Sequence, residues 1–190
     1  MKAFKDLKYF SRWSILGILI GIISGFGAVG FFYLLQLSSA FFLGYIGGYT
    51  PLEAGGEINP FSFSSLSVIS WRIPLILLIG GLISGVIVYK FAPEAEGHGT
   101  DAYISSFHNK DGEIRERVPL VKAVASSTII GTGGSAGREG PIAQIGAGFG
   151  SWLIKRLKLS KSDRRIAIVS GAAGGIGAIF KAPLGGQFLQ

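Results

Sequence analysis

Two long apolar runs constrain this sequence more than any other feature. Residues 14–37 contain no Lys, Arg, Asp or Glu, and residues 71–91 carry charge only near their ends, at Arg72 and Lys90. A helix of about 20 such residues, rising about 1.5 Å per residue, crosses the roughly 30 Å hydrocarbon core of a bilayer. The pattern therefore predicts two membrane-spanning helices, the first continuing beyond a break at Ser38 and Ser39.

Composition supports an all-α integral membrane protein. Charged residues make up 15% of the 190 residues, whereas about 25% is usual for soluble domains. The net charge of +7 is concentrated beside apolar segments, so membrane orientation explains it and no nucleic-acid partner is needed. Because the chain has no cysteine, disulfides and thiolate metal sites are excluded.

Basic clusters predict which side of the membrane each segment faces. Residues 1–13 combine four bases and one acid with aromatic side chains, which indicates an interfacial helix; a disordered basic tail is the alternative. Residues 155–165 hold six bases and one acid, while the only charges in residues 47–70 are Glu53 and Glu57. The positive-inside rule therefore places the N-terminus in the cytoplasm, with residues 47–70 outside.

Glycine spacing within the apolar runs indicates helix packing. Gly17, Gly21 and Gly25 recur at every fourth position of the first run, and Gly81 and Gly85 do so in the second. Small residues at this spacing allow two membrane helices to approach closely. We therefore expect both glycine series to lie against neighbouring helices.

The sequence GTGGSAGREGPIAQIGAGFG, residues 131–150, is the strongest candidate for a functional site. Arg138 and Glu139 are charges that lipid would not tolerate, so they must face a polar path, a partner or water. Pro141 favours the first turn of a helix, which we expect to run from near Gly140 for about 15 residues, or roughly 22 Å. That is too short to cross the membrane, so its N-terminal N–H groups would lie at depth and attract an anion.

Shorter segments complete the expected order of elements. An apolar stretch covers residues 119–134 and contains Lys122, and a small-residue helix covers residues 166–180. Between the spans, the polar residues 92–118 include GHGTD and an ISSF sequence that could begin a short helix. Pro183 is expected to begin a further helix.

Three sequence blocks together resemble the CLC family of chloride channels and proton-coupled chloride exchangers. They are GREGP at 137–141, IAQIGAGFGSWL after it, and GAAGGIGAIFKAPLGG at 171–186. The resemblance implies an all-helical membrane fold of two inverted halves, with tilted and partial-length helices, of which this chain is similar to the N-terminal half. Residues 1–13 would be a cytoplasmic or interfacial segment, and residues 14–190 the membrane domain of a prokaryotic plasma-membrane protein.

The same resemblance implies a transporter of chloride or similar small anions, with protons as a second partner. It also implies a homodimer that is not an enzyme and needs no cofactor or metal. Glu139 matches the gating glutamate, whose carboxylate occupies the anion site when the path is closed. His98 stands where many members have a serine that coordinates the anion, and Asp101 replaces a proline. The residues implied in anion binding are Gly137, Arg138, Gly140, Pro141, Ile142, Gly97, His98 and Gly99.

Other interpretations of the same residues remain. Arg138 and Glu139 could form a structural ion pair between helices, and GTGGSA at 131–136 fits a dinucleotide fingerprint, although no βαβ unit surrounds it. His98 and His108 could be imagined as metal ligands, but their spacing is not that of a helical pair. The alternative function is a truncated, non-transporting membrane scaffold that assembles with other CLC-type halves. Channel and exchanger both use a gating carboxylate, so these residues do not separate them.

Overall fold

A computed structural model describes residues 2–49, 51, 61 and 71–182, with side chains from residue 9 onward. The described residues form helices joined by turns and contain no strand, which confirms the all-α class. The predicted helix at Pro183 and most of residues 47–70 lie outside the described residues. The α-helices are α1 (Lys2–Ser39), α2 (Arg72–Phe91), α3 (Thr100–Asn109), α4 (Val118–Gly131), α5 (Glu139–Arg156) and α6 (Lys161–Ile179).

The first apolar run forms a longer helix than the sequence indicates. Helix α1 begins at Lys2 and continues directly into a π-helix, Ala40–Ile46, so Ser38 and Ser39 mark a change of helix type instead of a break. Residues 2–13 are helical and continuous with the span. By length and composition, Tyr9–Ile46 and Arg72–Phe91 could each cross a membrane.

Helix α5 is the centre of the packed structure. Residues 140–148 are all buried, and α5 makes its most extensive contact with α6 while also meeting α1, α4 and α3. Its 18 residues give a length of about 27 Å. The helix therefore begins where the sequence predicts but is three residues longer, because it continues to the basic residues of its last turn, Lys155 and Arg156.

Glycines make the close contacts between α5 and α6. A Cβ added at Gly146 would overlap the Gly171 carbonyl oxygen, and one at Gly171 would overlap the Gly146 oxygen. A Cβ at Gly150 would likewise overlap the Ala167 carbonyl oxygen. The two helices are therefore in backbone contact, the close packing expected of small residues.

The glycines predicted to pack in α1 are more open than those between α5 and α6, although the Gly21 Cα lies 3.5 Å from the position of a Cβ added at Gly174 of α6. A Cβ added at Gly17, Gly21 or Gly25 would meet no atom of the described residues within 4 Å. Instead α1 buries a larger stripe against the other helices, formed by Leu16, Ile20, Ala28, Phe31 and Leu35. In α2, Gly85 is equally open, and a Cβ at Gly81 would meet Ile129 only at 3.8 Å.

Helix α6 begins five residues earlier than predicted because Ser160 caps it. The Ser160 hydroxyl accepts from the Asp163 N–H at 3.1 Å, and the Asp163 carboxylate accepts from the Ser160 N–H at 3.2 Å. Arg12 of α1 donates to the same carboxylate at 2.6 Å. Burial alone would raise the pKa of Asp163, but the bonds from Ser160 and Arg12 hold it below the usual range. These contacts fasten the polar ends of α1 and α6 together.

Candidate functional site

The loop before α3 takes a conformation that requires glycine. A 3₁₀ helix, Pro93–Ala95, leads into Gly97 and Gly99, whose φ angles are 71° and 107°. Glycine adopts such angles without the penalty that a side chain imposes. A Cβ on Gly99 would also lie 2.8 Å from the Gly140 carbonyl oxygen. The GHG segment is therefore shaped to lie directly on the start of α5.

Glu139 is the first residue of α5. Arg138 precedes it as the N-cap residue and is half-buried, whereas the Glu139 side chain is exposed on the surface of the chain and folds back over Gly137. Pro141 has no N–H, and the Ile142 N–H already donates to the Arg138 carbonyl at 3.2 Å. Helix geometry therefore leaves the N–H groups of Glu139 and Gly140 without intrahelical partners. An anion that bound the Ile142 N–H would have to share this donor with the Arg138 carbonyl.

His98 joins the two helix starts. A Cβ added at Gly140 would overlap the His98 carbonyl oxygen, Nδ1 and Cε1, so the imidazole lies against the α5 backbone. Nδ1 also pairs with the Thr100 hydroxyl at 2.9 Å, in the first turn of α3. The N-termini of α3 and α5, each the positive end of a helix dipole, thus meet at one side chain.

Two buried polar residues hold this loop in place. Lys122 of α4 is 2% exposed, and its ammonium donates to the carbonyls of Ala95 at 3.0 Å and Gly97 at 2.6 Å. Gln144 of α5 is also 2% exposed and donates to the Glu94 carbonyl at 2.7 Å, while its Oε1 accepts no hydrogen bond from the described residues. Neither was predicted as a site residue, although Lys122 is the one charge in its apolar helix.

Gln144 also lines a polar cleft of about 560 Å³, which lies between α3 and the start of α4. Arg115 donates to the Glu94 carboxylate in this cleft at 2.5 Å. Burial opposes the ionisation of Glu94, but the bond from Arg115 and the nearby Lys110 give it a pKa below the ordinary value. Two carboxylates of the cleft, Glu94 and Asp111, are thus already paired with basic side chains, and Gln144 lies between the cleft and the GHG loop.

Comparison with known proteins identifies the family. The family model described as voltage gated chloride channel matches residues 80–190, which is more than half of the chain. The chain belongs to the voltage gated chloride channel family. All nine residues singled out for gating or anion binding fall within the matched part.

Individual relatives extend the similarity over nearly all of the chain. The voltage-gated ClC-type chloride channel ClcB of Shigella flexneri is 27% identical over 179 residues, covering 93% of this chain and 40% of ClcB. ClcB of an Escherichia coli strain has the same identity and coverage. An uncharacterized protein of Methanocaldococcus jannaschii is 36% identical over 117 residues, or 62% of this chain and 28% of that protein. The chain therefore spans less than half the length of these relatives.

The structure brings some of the predicted residues together and separates others. His98 and Gly99 contact Gly140 of α5, whereas a Cβ added at Gly97 would meet no described atom within 4 Å. Pro141 and Ile142 are buried. Their roles in gating and anion binding remain predictions. His108 lies near the opposite end of α3 from His98, so the two imidazoles do not share a site.

Proposed function

We propose that this chain forms one wall of a path that carries chloride or similar small anions across a membrane, gated by Glu139. The observation that supports this most directly is the contact between His98 and Gly140, where two helix N-termini meet beside an exposed carboxylate. Positive helix ends with unpaired N–H groups are suited to binding anions. The relatives named chloride channels support the same substrate.

Glu139 can act as a gate through competition. Its ionised carboxylate is a tethered anion that competes with chloride for the N–H groups at the start of α5. Protonation removes the charge, and with it the affinity of the side chain for those groups. Anion occupancy and proton occupancy at the site are therefore coupled, as exchange of chloride for protons would require. We further propose a prokaryotic plasma membrane, a cytoplasmic N-terminus and a homodimer.

The second candidate is a membrane scaffold that assembles with other CLC-type halves and does not transport by itself. The observation that favours it is the exposure of both His98 and Glu139 on the surface of this chain. An anion held there would remain in contact with water unless another surface covered it, and electrostatic attraction is weaker in water than in an enclosed site.

Chloride efflux from liposomes tests both candidates. The chain is reconstituted with a potassium ionophore, and chloride release is followed by electrode between about pH 5 and about pH 8. We expect release to be slow at neutral pH and faster in acid, and we expect Glu139→Gln to release chloride rapidly at neutral pH. Glu116→Gln is the matched control, because Glu116 is an exposed carboxylate paired with Lys155 at 3.2 Å.

Each outcome decides between the two functions. Rapid neutral release in Glu139→Gln alone supports transport with a glutamate gate. Folded protein that is inserted but releases no chloride under any condition supports the scaffold. Release with the same pH dependence in the wild type and in Glu139→Gln would show that another group is the gate.

A further inference from the structure

Helix α2 carries an apolar groove that no other part of the described chain covers. Of its 20 residues, only Ile76 and Gly80 are buried. A Cβ added at Gly85 would meet no described atom within 4 Å, and one at Gly81 would meet only Ile129, at 3.8 Å. The space left by these glycines is a cavity of about 480 Å³, here called the α2 groove, lined by Gly81, Leu82, Gly85, Val86, Tyr89 and Lys90. By helical rise, it runs for about 14 Å along the helix.

A polar cavity of about 410 Å³ adjoins the α2 groove and shares three residues of α2 with it. Lys122 of α4 lines this cavity, and its ammonium has three N–H donors, of which two bind the carbonyls of Ala95 and Gly97. Ser126, one turn further along α4, is 7% exposed and lines the same cavity, yet its hydroxyl forms no hydrogen bond with the described residues. Two buried donors are therefore still available, and an anionic group in this cavity would supply their acceptor.

The charges that line the two cavities also favour an anion. Lys90 lies in the last turn of α2, is exposed, and forms no ion pair within the described part of the chain. Lys122 adds a second positive charge. Among the described residues, the one carboxylate that lines either cavity is that of Glu96, which is exposed. The apolar groove therefore leads to a polar end that carries one net positive charge.

A hydrocarbon chain with an anionic head group matches this order of surfaces. A neighbouring helix is about 10 Å across, so it could cover the groove but could not enter it. Basic residues at the end of a membrane helix lie at the level of the lipid head groups, where they attract anionic lipids.

We propose that the α2 groove and the adjoining polar cavity bind one acidic phospholipid. An acyl chain lies along Gly81 and Gly85, and the phosphate faces Lys90, Lys122 and Ser126. This site is separate from the start of α5 and does not depend on the proposed transport function.

Lipid binding to the purified full chain tests the polar end of the site. Dioleoyl phosphatidylglycerol and dioleoyl phosphatidylcholine are titrated separately into delipidated protein in a neutral detergent, and native mass spectrometry measures the bound lipid. Because one net positive charge strengthens the binding of an anionic lipid about fivefold, the Kd for phosphatidylglycerol should be about fivefold the lower of the two. Lys90→Gln should remove this preference. Lys158→Gln is the matched control and should keep it, because Lys158 is exposed in the turn after α5.

Gly85→Leu tests the apolar part. Since a Cβ at Gly85 meets open space, leucine should fill the groove without a clash, and both lipids should bind about tenfold more weakly. Gly25→Leu in α1 is the matched control, because a Cβ there also meets no described atom within 4 Å.

Several outcomes would overturn the inference: equal Kd values for the two lipids, a Lys90→Gln protein that binds them as Lys158→Gln does, or a Gly85→Leu protein that binds them as Gly25→Leu does. Displacement of the lipid by an equal concentration of inorganic phosphate would show a phosphate site without an acyl chain, which also contradicts it. A change of oligomeric state in Gly85→Leu with unchanged lipid binding would assign the groove to a second copy of the chain instead.

Discussion

Replacing Lys122 with Met tests whether one buried ammonium positions the loop that carries His98. Its two hydrogen bonds, of 3.0 and 2.6 Å, involve a charged donor, and such bonds contribute about 1.5–3 kcal/mol each. The desolvation of the ammonium costs several kcal/mol and offsets much of this sum. Because Met is of similar length and leaves little cavity, the net loss of unfolding free energy should be about 2 kcal/mol, mainly from two carbonyls left without donors.

The assay is thermal unfolding in detergent, combined with the chloride Kd. A loss of about 2 kcal/mol lowers the Tm of a protein of this size by about 4–8 °C, and chloride binding should weaken because Gly97 and His98 lose their anchor. Lys158→Met is the matched control, since Lys158 is exposed in the turn after α5. If Lys122→Met has the Tm and the chloride Kd of this control, the ammonium does not hold the loop.

Two further predictions concern the free energy of unfolding, measured on the purified protein. Gly146→Ala should lower it by about 1–3 kcal/mol, because the added Cβ would overlap a backbone carbonyl of α6. Gly17→Ala should leave it unchanged or raise it by about 0.5–1 kcal/mol, because the added Cβ would meet no atom of the described residues within 4 Å. Equal effects of the two substitutions would contradict the backbone contact. Asp163→Asn should lose about 1 kcal/mol at neutral pH. The pKa of Asp163 in the folded protein lies below its ordinary value of 3.8. The stabilisation by the Asp163 carboxylate is therefore present above about pH 4 and is lost as the pH falls through the folded pKa. A stability difference between wild type and Asp163→Asn that persists in strong acid would contradict this account.

The sequence predicts helices well where a local signal marks their ends. Helix α2 has the predicted bounds within a residue, and α5 begins at Glu139 because Pro141 favours the first turn. The early start of α6 also has a local signal in the sequence, the Ser160 and Asp163 capping pair. Helix α1 is continuous because no helix-breaking residue separates Trp13 from Ser14, whereas the change in composition there predicted a boundary.

The site is less accessible to sequence reasoning because its contacts are distant along the chain. The carbonyls that Lys122 binds lie 27 and 25 residues before it, and a main-chain acceptor leaves no mark in the sequence. Glycine spacing has the same weakness: it shows which faces are smooth but not which of them a neighbour covers. Gly146 and Gly171 are therefore in backbone contact. In the regular series of α1, Gly21 lies near Gly174, whereas a Cβ at Gly17 or Gly25 would meet no described atom within 4 Å.

The backbone contact between α5 and α6 also limits how the site can move. With carbonyl and Cα in direct contact at Gly146 and at Gly150, no layer of adjustable side chains lies between these helices to absorb sliding. The pair should shift as one rigid unit, whose far end is anchored through the ion pairs of Asp111 with Lys161 and Arg165. Any rearrangement that displaces Glu139 must therefore carry α6 with it, or be confined to the rotation of a single side chain.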